Sequence, residues 1–138
     1  MSNDTEQLID TAATAAIEAR ARAYAPYSDF PMGAALVSAD GSVVQGVLIE
    51  NVSLGLAMCA ERVALFSAVT DGVEPAVLAL CSDRTGDELT FPCGACRQVA
   101  LEIAGPDLVV VAVDSEGERD DTTLGRLLAR APKRHSPF

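Results

Sequence analysis

Basic residues, and lysine above all, are scarce in this sequence of 138 residues. Ten lysines and arginines stand against twenty aspartates and glutamates, the formal net charge is −10, and Lys133 is the only lysine. Proteins that bind nucleic acid neutralise phosphate groups with basic side chains, so we expect no nucleic-acid partner. Long apolar runs are also missing: the stretch 108–113 is among the longest, whereas a membrane-spanning helix needs about 20 apolar residues. We therefore expect no membrane partner either.

The sequence begins with acidic residues, including Asp4 and Glu6, where a secretory signal peptide would carry positive charge. Without such a signal, we expect a cytoplasmic protein whose four cysteines stay reduced and serve in metal binding, catalysis or the core. The length is that of one domain, since a single core typically serves about 100 to 200 residues. We expect residues 1–138 to form one domain.

The pattern of apolar residues predicts helices and strands that alternate along most of the chain. A helix that ends near Ala23 is followed by a β-hairpin, then by helix, strand, helix, strand and a short final helix. The predicted ranges after the first helix are 33–38, 43–47, 59–69, 76–81, 93–104, 108–113 and 123–129. Such alternation favours parallel crossovers, with the hairpin as an antiparallel edge. We therefore predict an α/β fold, a three-layer α/β/α sandwich with a mixed central sheet.

Three of the four cysteines lie at predicted helix starts. Cys59 begins one helix, and Cys93 and Cys96 begin the next. A helix start presents free N–H groups and the positive end of the helix dipole, both of which favour the thiolate that a metal requires. Three thiolates with a vacant fourth position are typical of a catalytic zinc site, whereas a structural site has four protein ligands. Cys81 ends an apolar strand and is interpreted as a core residue, although a closed four-cysteine site stays open as an alternative.

Glu61 indicates how such a metal would be used. It follows Cys59 by two residues, so its carboxylate can face the same space as the thiolate without ligating the metal. A carboxylate beside an activated water can take a proton from it and pass protons to a substrate nitrogen and a leaving amine, which are the steps of hydrolytic deamination. The segments 59–61 and 92–96 fill the Cys-x-Glu and Pro-Cys-x-x-Cys signature of zinc deaminases.

Two arginines near the cysteines are predicted to offset the negative charge of three thiolates. Arg62 and Arg97 lie in the same helix starts, so each guanidinium could hydrogen-bond a ligand sulfur.

Four segments of the sequence together resemble the small, three-cysteine type of cytidine deaminase. They are APYSDFPMGAA at 25–35, IEN at 49–51, CAER at 59–62 and PCGACRQ at 92–98. The resemblance implies a cytidine deaminase-like fold, a homotetramer with composite active sites, and a role in pyrimidine salvage. It also implies zinc-dependent hydrolysis of cytidine or deoxycytidine to the uridine product with release of ammonia.

The resemblance also implies roles for individual residues. Cys59, Cys93 and Cys96 would hold Zn²⁺, and Glu61 would be the proton shuttle. On the substrate side, Phe30 would stack on the pyrimidine, Glu50 would accept a hydrogen bond from a sugar hydroxyl, and the backbone around Ala60 would read the base.

Three departures from the family pattern lie on the sugar-facing side. Leu48 is also expected at the substrate, but it stands where an asparagine usually shares the sugar hydroxyl with Glu50, and Leu54 stands where an aromatic residue is frequent. The double leucine 127–128 also lacks the phenylalanine that usually follows it, and Phe138 is a candidate replacement. These changes keep a second hypothesis open, a deaminase of the same fold that acts on another aminopyrimidine or a modified nucleoside of the blasticidin S kind. A non-enzymatic zinc module and a Cys-x-x-Cys redox protein are the alternatives from other classes.

Overall fold

The structure of this chain is a computed structural model that describes residues 4–132 and 134–138. A short 3-10 helix covers Leu54–Leu56. The other elements are α1 (Thr5–Arg20), β1 (Gly33–Val37), β2 (Val43–Val47), α2 (Ala60–Asp71), β3 (Val77–Cys81), α3 (Gly94–Ala104), β4 (Val109–Val113), β5 (Arg119–Thr123) and α4 (Leu124–Leu127). The predicted elements are all present, although α1 ends at Arg20 rather than near Ala23.

The five strands form one mixed sheet in the order β2-β1-β3-β4-β5. Strands β3 and β4 are parallel and are joined through α3, while the pairs β1–β2, β1–β3 and β4–β5 are antiparallel. The predicted mixed sheet with an antiparallel hairpin at one edge is therefore confirmed.

Strand β5 was not predicted from the sequence. Its five residues, Arg119–Thr123, include no apolar side chain, so the alternation that marks a half-buried strand is lacking. The strand forms because it pairs along the whole of β4 at the edge of the sheet, where polar side chains face solvent. The turn before β5 contains residue types that favour turns, an aspartate and a glycine. Gly117 has a φ of 90°, and Asp114 accepts hydrogen bonds from the amides of Glu116 and Glu118 at 3.0 Å each.

Helices cover both faces of the sheet. The buried face of α1 packs against one side of β1, β3 and β4, through alternate strand residues such as Ala35, Ala79 and Val111. The intervening residues, such as Leu36, Leu78 and Val110, pack on the other side against α2, α3 and α4. This arrangement confirms the three-layer α/β/α sandwich. In the part of the chain that the structure describes, every helix is too short or too polar to span a membrane.

Candidate active site

The starts of α2 and α3 bring three cysteines together. Cys59 is the N-cap residue of α2, Cys93 is the N-cap residue of α3, and Cys96 lies in the first turn of α3. Their Sγ atoms all lie within 4.8 Å of one another, and the Cys93 and Cys96 sulfurs are 3.6 Å apart. Tetrahedral zinc with Zn–S bonds of about 2.3 Å holds its sulfurs about 3.8 Å apart, so the three thiols fit one zinc ion.

The fourth cysteine lies elsewhere in the fold. Cys81 is fully buried at the end of β3, in the apolar layer that packs against α1. Burial raises the pKa of the Cys81 thiol to about 11. Among the described residues, the cysteine cluster comprises the other three. The closed four-cysteine site is therefore not formed, and the core interpretation of Cys81 agrees with the structure.

Glu61 is a buried acid beside this cluster. It lies in the first turn of α2 with only 2% of its surface exposed, and its Oε1 atom has no hydrogen-bond partner among the described residues. Burial, together with the negative charge of Cys59, raises the pKa of Glu61 to about 7. Because an unpartnered polar atom in the interior costs free energy, its retention next to three thiols points to a group that the carboxylate serves.

The electrostatics of the thiols favour a bound cation. Hydrogen bonding from Cys96, opposed by burial and assisted by Arg62, lowers the pKa of Cys59 to about 5. The pKa of Cys96 is raised in turn by the negative Cys59 and by burial. One thiolate therefore forms readily while its neighbour resists ionisation. A dication at the centre of the cluster would stabilise all three as thiolates.

The two arginines make different contacts. Nη2 of Arg62 donates a hydrogen bond to Sγ of Cys59 at 3.3 Å, as predicted. The guanidinium of Arg97 contacts carbonyls instead: Nε donates to Pro92 O at 2.6 Å and Nη1 to Leu127 O at 2.9 Å. The prediction of a sulfur contact for Arg97 was therefore wrong in its geometry. Arg97 ties the segment that precedes Cys93 to α4, a partner that its position in the sequence does not reveal.

Backbone hydrogen bonds hold the segment 48–50 next to the cysteine cluster. Ile49 exchanges two hydrogen bonds with Met58, the residue before Cys59, at 3.0 and 2.9 Å. On its other side, the same segment bonds to the backbone of Tyr24 through Leu48 O and the Glu50 amide. Leu48 and Glu50, which were predicted to contact substrate, thus lie on a segment that is hydrogen-bonded to the residue preceding Cys59, a predicted zinc ligand. These pairings are too short to be recognised as strands from the sequence.

The carboxylate of Glu50 organises the turn that precedes Phe30. Oε1 accepts hydrogen bonds from the amides of Tyr27 and Ser28 at 2.9 and 3.2 Å, and Oε2 accepts one from the Ser28 hydroxyl. The same hydroxyl oxygen accepts a bond from the Phe30 amide at 3.1 Å. These bonds, that of the Ser28 hydroxyl first, lower the pKa of Glu50. The sequence analysis identified Glu50 and Phe30 but did not show that one hydrogen-bond network joins them. The Pro-Tyr-Ser-Asp stretch at 26–29 is of a composition that favours a turn, and this is the signal that could have located the network.

The remaining predicted positions differ in exposure. Ala60 is fully buried in the first turn of α2, between Cys59 and Glu61. Leu54 is 87% exposed and Leu56 is 71% exposed, a few residues before the site, and Phe138 is 43% exposed. Apolar side chains so exposed in one chain are typical of surfaces that another molecule covers.

Three thiols that fit one zinc ion, with an unpartnered buried carboxylate beside them on an α/β sheet, define a class: zinc hydrolases with a coordination position left for the reaction. The family model for the cytidine and deoxycytidylate deaminase zinc-binding region matches residues 6–113. This chain belongs to the cytidine and deoxycytidylate deaminase family. The predicted family, the deaminase fold, the zinc requirement and the enzyme class of hydrolytic nucleoside deaminases are thereby confirmed.

Individual relatives support the same assignment. The cytidine deaminase of Sporosarcina psychrophila is 44% identical over 115 residues, which cover 83% of each chain. That of Halalkalibacterium halodurans is 45% identical over 117 residues, which cover 84% of this chain and 87% of the relative. Among solved structures, the crystal structure of cytidine deaminase from Burkholderia pseudomallei matches with a TM-score of 0.79 and 43% identity, over 94% of this chain and 99% of that chain.

Proposed function

We propose that this chain, as a single domain, deaminates cytidine and deoxycytidine hydrolytically to uridine and deoxyuridine with release of ammonia. The observation that carries the proposal is the buried, unpartnered Oε1 of Glu61 next to three clustered thiols. A purely structural zinc site has no use for such a carboxylate, and a Cys-x-x-Cys redox centre requires neither Cys59 nor Glu61. A hydrolase that must move protons requires it.

In this proposal Cys59, Cys93 and Cys96 hold the zinc ion. The chemistry that zinc supplies when bound is Lewis acidity, which makes water a nucleophile near neutral pH. Arg62 keeps Cys59 in its thiolate form through the bond to Sγ, and so preserves the ligand set. Arg97 acts through the backbone that precedes Cys93 rather than through a sulfur.

Glu61 is the proposed catalytic acid and base, because its unpaired oxygen is free to bond with water and substrate. It accepts one proton from the attacking water while the water oxygen bonds to C4 of the pyrimidine, and delivers a proton to ring N3. It then carries the second water proton to the amino nitrogen, and the bond between C4 and that amino nitrogen breaks. One water is consumed, the oxygen stays as the uridine carbonyl, and ammonia leaves.

We assign substrate contacts to four residues, which lie on segments next to one another. Phe30 stacks on the pyrimidine ring, and the backbone at Ala60 reads its edge. Glu50 accepts a hydrogen bond from a sugar hydroxyl, and Leu48 lies beside it in place of an amide. The hydrogen bonds that link Glu50 to the turn before Phe30 support a joint role for these two side chains.

A second candidate substrate, another aminopyrimidine or a modified nucleoside, is favoured by one observation. Leu48 has no group that bonds a hydroxyl, and both carboxylate oxygens of Glu50 already accept hydrogen bonds from the neighbouring turn. Fewer hydrogen-bonding groups are therefore free on the sugar side than the family pattern implies.

We further propose a homotetramer that works in cytoplasmic pyrimidine salvage. The exposed Leu54 and Leu56 beside the site support association with further copies of the chain, because burying each leucine would be worth about 1.5 to 3 kcal/mol. The four cysteines are not joined in disulfides, which is usual for proteins of a reducing compartment and supports the cytoplasmic location.

The test is ammonia release from cytidine, deoxycytidine, cytosine and modified cytosine nucleosides by zinc-loaded protein, with metal content and free thiols measured in the same sample. We expect one zinc per chain and turnover of cytidine and deoxycytidine that a chelator abolishes. Turnover of a modified nucleoside alone would favour the second candidate. Zinc binding without ammonia release from any of them would contradict deamination.

A further inference from the structure

Gly46 lies on β2 where α2 passes closest to the sheet. It pairs with Ala34 of β1 and points to the same side of the sheet as that residue, toward α2. A Cβ atom at position 46 would lie 2.4 Å from the carbonyl oxygen of Ala60 and 2.5 Å from the amide nitrogen of Ala64. Ordinary contacts begin at 3.4 Å, and both atoms belong to backbone that cannot rotate away. The helix reaches this position only because residue 46 has no side chain.

The part of α2 that touches Gly46 is the part that enters the site. Its first turn carries Cys59, Glu61 and Arg62, whereas Cys93 and Cys96 belong to α3. The separation of β2 from α2 therefore determines where one ligand and the buried carboxylate stand relative to the other two thiols. A Cβ atom would have to displace the turn by about 1 Å, the difference between 2.4 Å and an ordinary contact. A misplacement of about that size can cost about 100-fold in rate.

We propose that Gly46 is a positioning residue for the deamination site: by lacking a side chain, it seats the first turn of α2 so that Cys59 and Glu61 meet the thiols of α3. The inference rests on the proposed function, and it extends that function to a residue that neither ligates metal nor contacts substrate.

The chain provides a matched control. Gly33, on β1, packs just as closely against α1: a Cβ atom there would lie 2.3 Å from Arg20 N and 2.5 Å from Ala16 O. Helix α1 lies on the opposite face of the sheet and carries none of the proposed site residues. Gly33→Ala and Gly46→Ala therefore introduce comparable clashes with a helix backbone, but only the helix over Gly46 contains site residues.

The experiment compares both variants with the wild type well below their melting temperatures. Metal binding is followed by titrating the metal-free proteins with Co²⁺ alone and reading the thiolate-to-cobalt absorption, and kcat and KM are measured for zinc-loaded protein with cytidine. We expect both substitutions to lower the melting temperature. Only Gly46→Ala should weaken Co²⁺ binding by 10-fold or more and reduce kcat by about 10- to 100-fold, with KM within about threefold. Gly33→Ala should keep the Co²⁺ affinity within about twofold of the wild type, because α1 carries no metal ligand.

Equal losses in the two variants, or wild-type metal affinity and kcat in Gly46→Ala, would overturn the proposal. If Gly46→Ala does not fold, Ala64→Ser presses on the same contact from the helix side, where the Ala64 Cβ faces Gly46. It should reduce kcat about 3- to 10-fold, and a wild-type kcat would overturn the proposal as well. The Co²⁺ titration distinguishes failure of the Gly46 proposal from failure of the proposed deamination, because it tests the positioning of Cys59 even if the wild type deaminates nothing.

Discussion

At the scale of single residues, Glu61 is the position where a change should separate chemistry from metal binding. Glu61→Gln keeps the shape of the side chain but removes its ability to carry a proton. We expect kcat to fall by about 10²- to 10⁴-fold, the range that general acid and base groups contribute, while zinc content stays at the wild-type level. Steady-state kinetics and metal analysis on the same preparation check this prediction.

A matched control for Glu61→Gln is Glu74→Gln, which makes the same chemical change at an exposed residue outside the site. It should leave kcat unchanged. Loss of zinc from Glu61→Gln would mean that the carboxylate holds the metal site together, and appreciable residual turnover with zinc bound would contradict its role as proton carrier.

Leu48 is the residue whose change should reveal the substrate. Leu48→Asn restores an amide next to Glu50, and one hydrogen bond of about 0.5 to 1.5 kcal/mol corresponds to roughly a two- to tenfold change in binding. We expect kcat/KM for cytidine to rise by that factor. Leu48→Ala removes the leucine without adding an amide and should not reproduce the gain. An unchanged or lower kcat/KM in Leu48→Asn would indicate a pocket built around a different group.

At the scale of elements, the sequence predicted correctly those contacts of the site whose residues all lie at the start of the same helix. The spacing of Cys59 and Glu61 within a turn, and of Cys93 and Cys96 within the next, follows from helix geometry, and the Arg62 contact to sulfur follows from the same turn. The Arg97 contact to Leu127 joins residues 30 positions apart through the fold. Local periodicity carries no information about such a pair, which is why that prediction failed.

Strand β5 and the segment 48–50 were missed for a related reason. Both owe their extended shape to hydrogen bonds with a neighbour, β4 in one case and Tyr24 and Met58 in the other, rather than to an apolar face of their own. The contact of Gly46 with α2 is of the same kind. A glycine in a strand indicates that another part of the chain packs closely, but the sequence does not show which part.

The turn that Glu50 holds should make stability depend on pH. Hydrogen bonds from Ser28 and Tyr27 lower the folded-state pKa of Glu50 below its ordinary 4.5. Its contribution is therefore fully present above about pH 4.5 and is lost as pH falls through the lower folded value. We expect Glu50→Gln to be less stable than the wild type at pH 6, with a difference that shrinks below pH 4.5, as measured by urea unfolding across this range.

Ser28→Ala is the matched variant for the Glu50 prediction, since it removes the hydroxyl donor and keeps the carboxylate. Its own loss of stability should also shrink at low pH, and Glu50→Gln should cost less in its background than in the wild type. A wild-type to Glu50→Gln difference that stays constant from pH 6 to pH 3 would show that the carboxylate does not hold the turn.

At the scale of the whole molecule, a strongly acidic chain must associate against its own charge. A formal charge of −10 on each chain opposes assembly through electrostatic repulsion. The proposed assembly would therefore have to rest on apolar contact area. Leu54 and Leu56, with Val52 at 83% exposure, form a run of exposed apolar residues close to Cys59. Association through this run would also bring a neighbouring chain near the active site.

Charges placed in that run should dissociate the proposed tetramer. In Leu54→Glu/Leu56→Glu each chain loses two apolar contacts and adds two negative charges to an already acidic surface, so we expect light scattering to give the mass of one or two chains instead of four. Val43→Glu changes a 43% exposed side chain at the start of β2, away from this run, and should keep the assembly intact. Activity should fall with the mass if neighbouring chains complete each site. A wild type that is a single chain at micromolar concentration would contradict the tetramer, whereas a double variant that stays tetrameric would assign the interface to another surface.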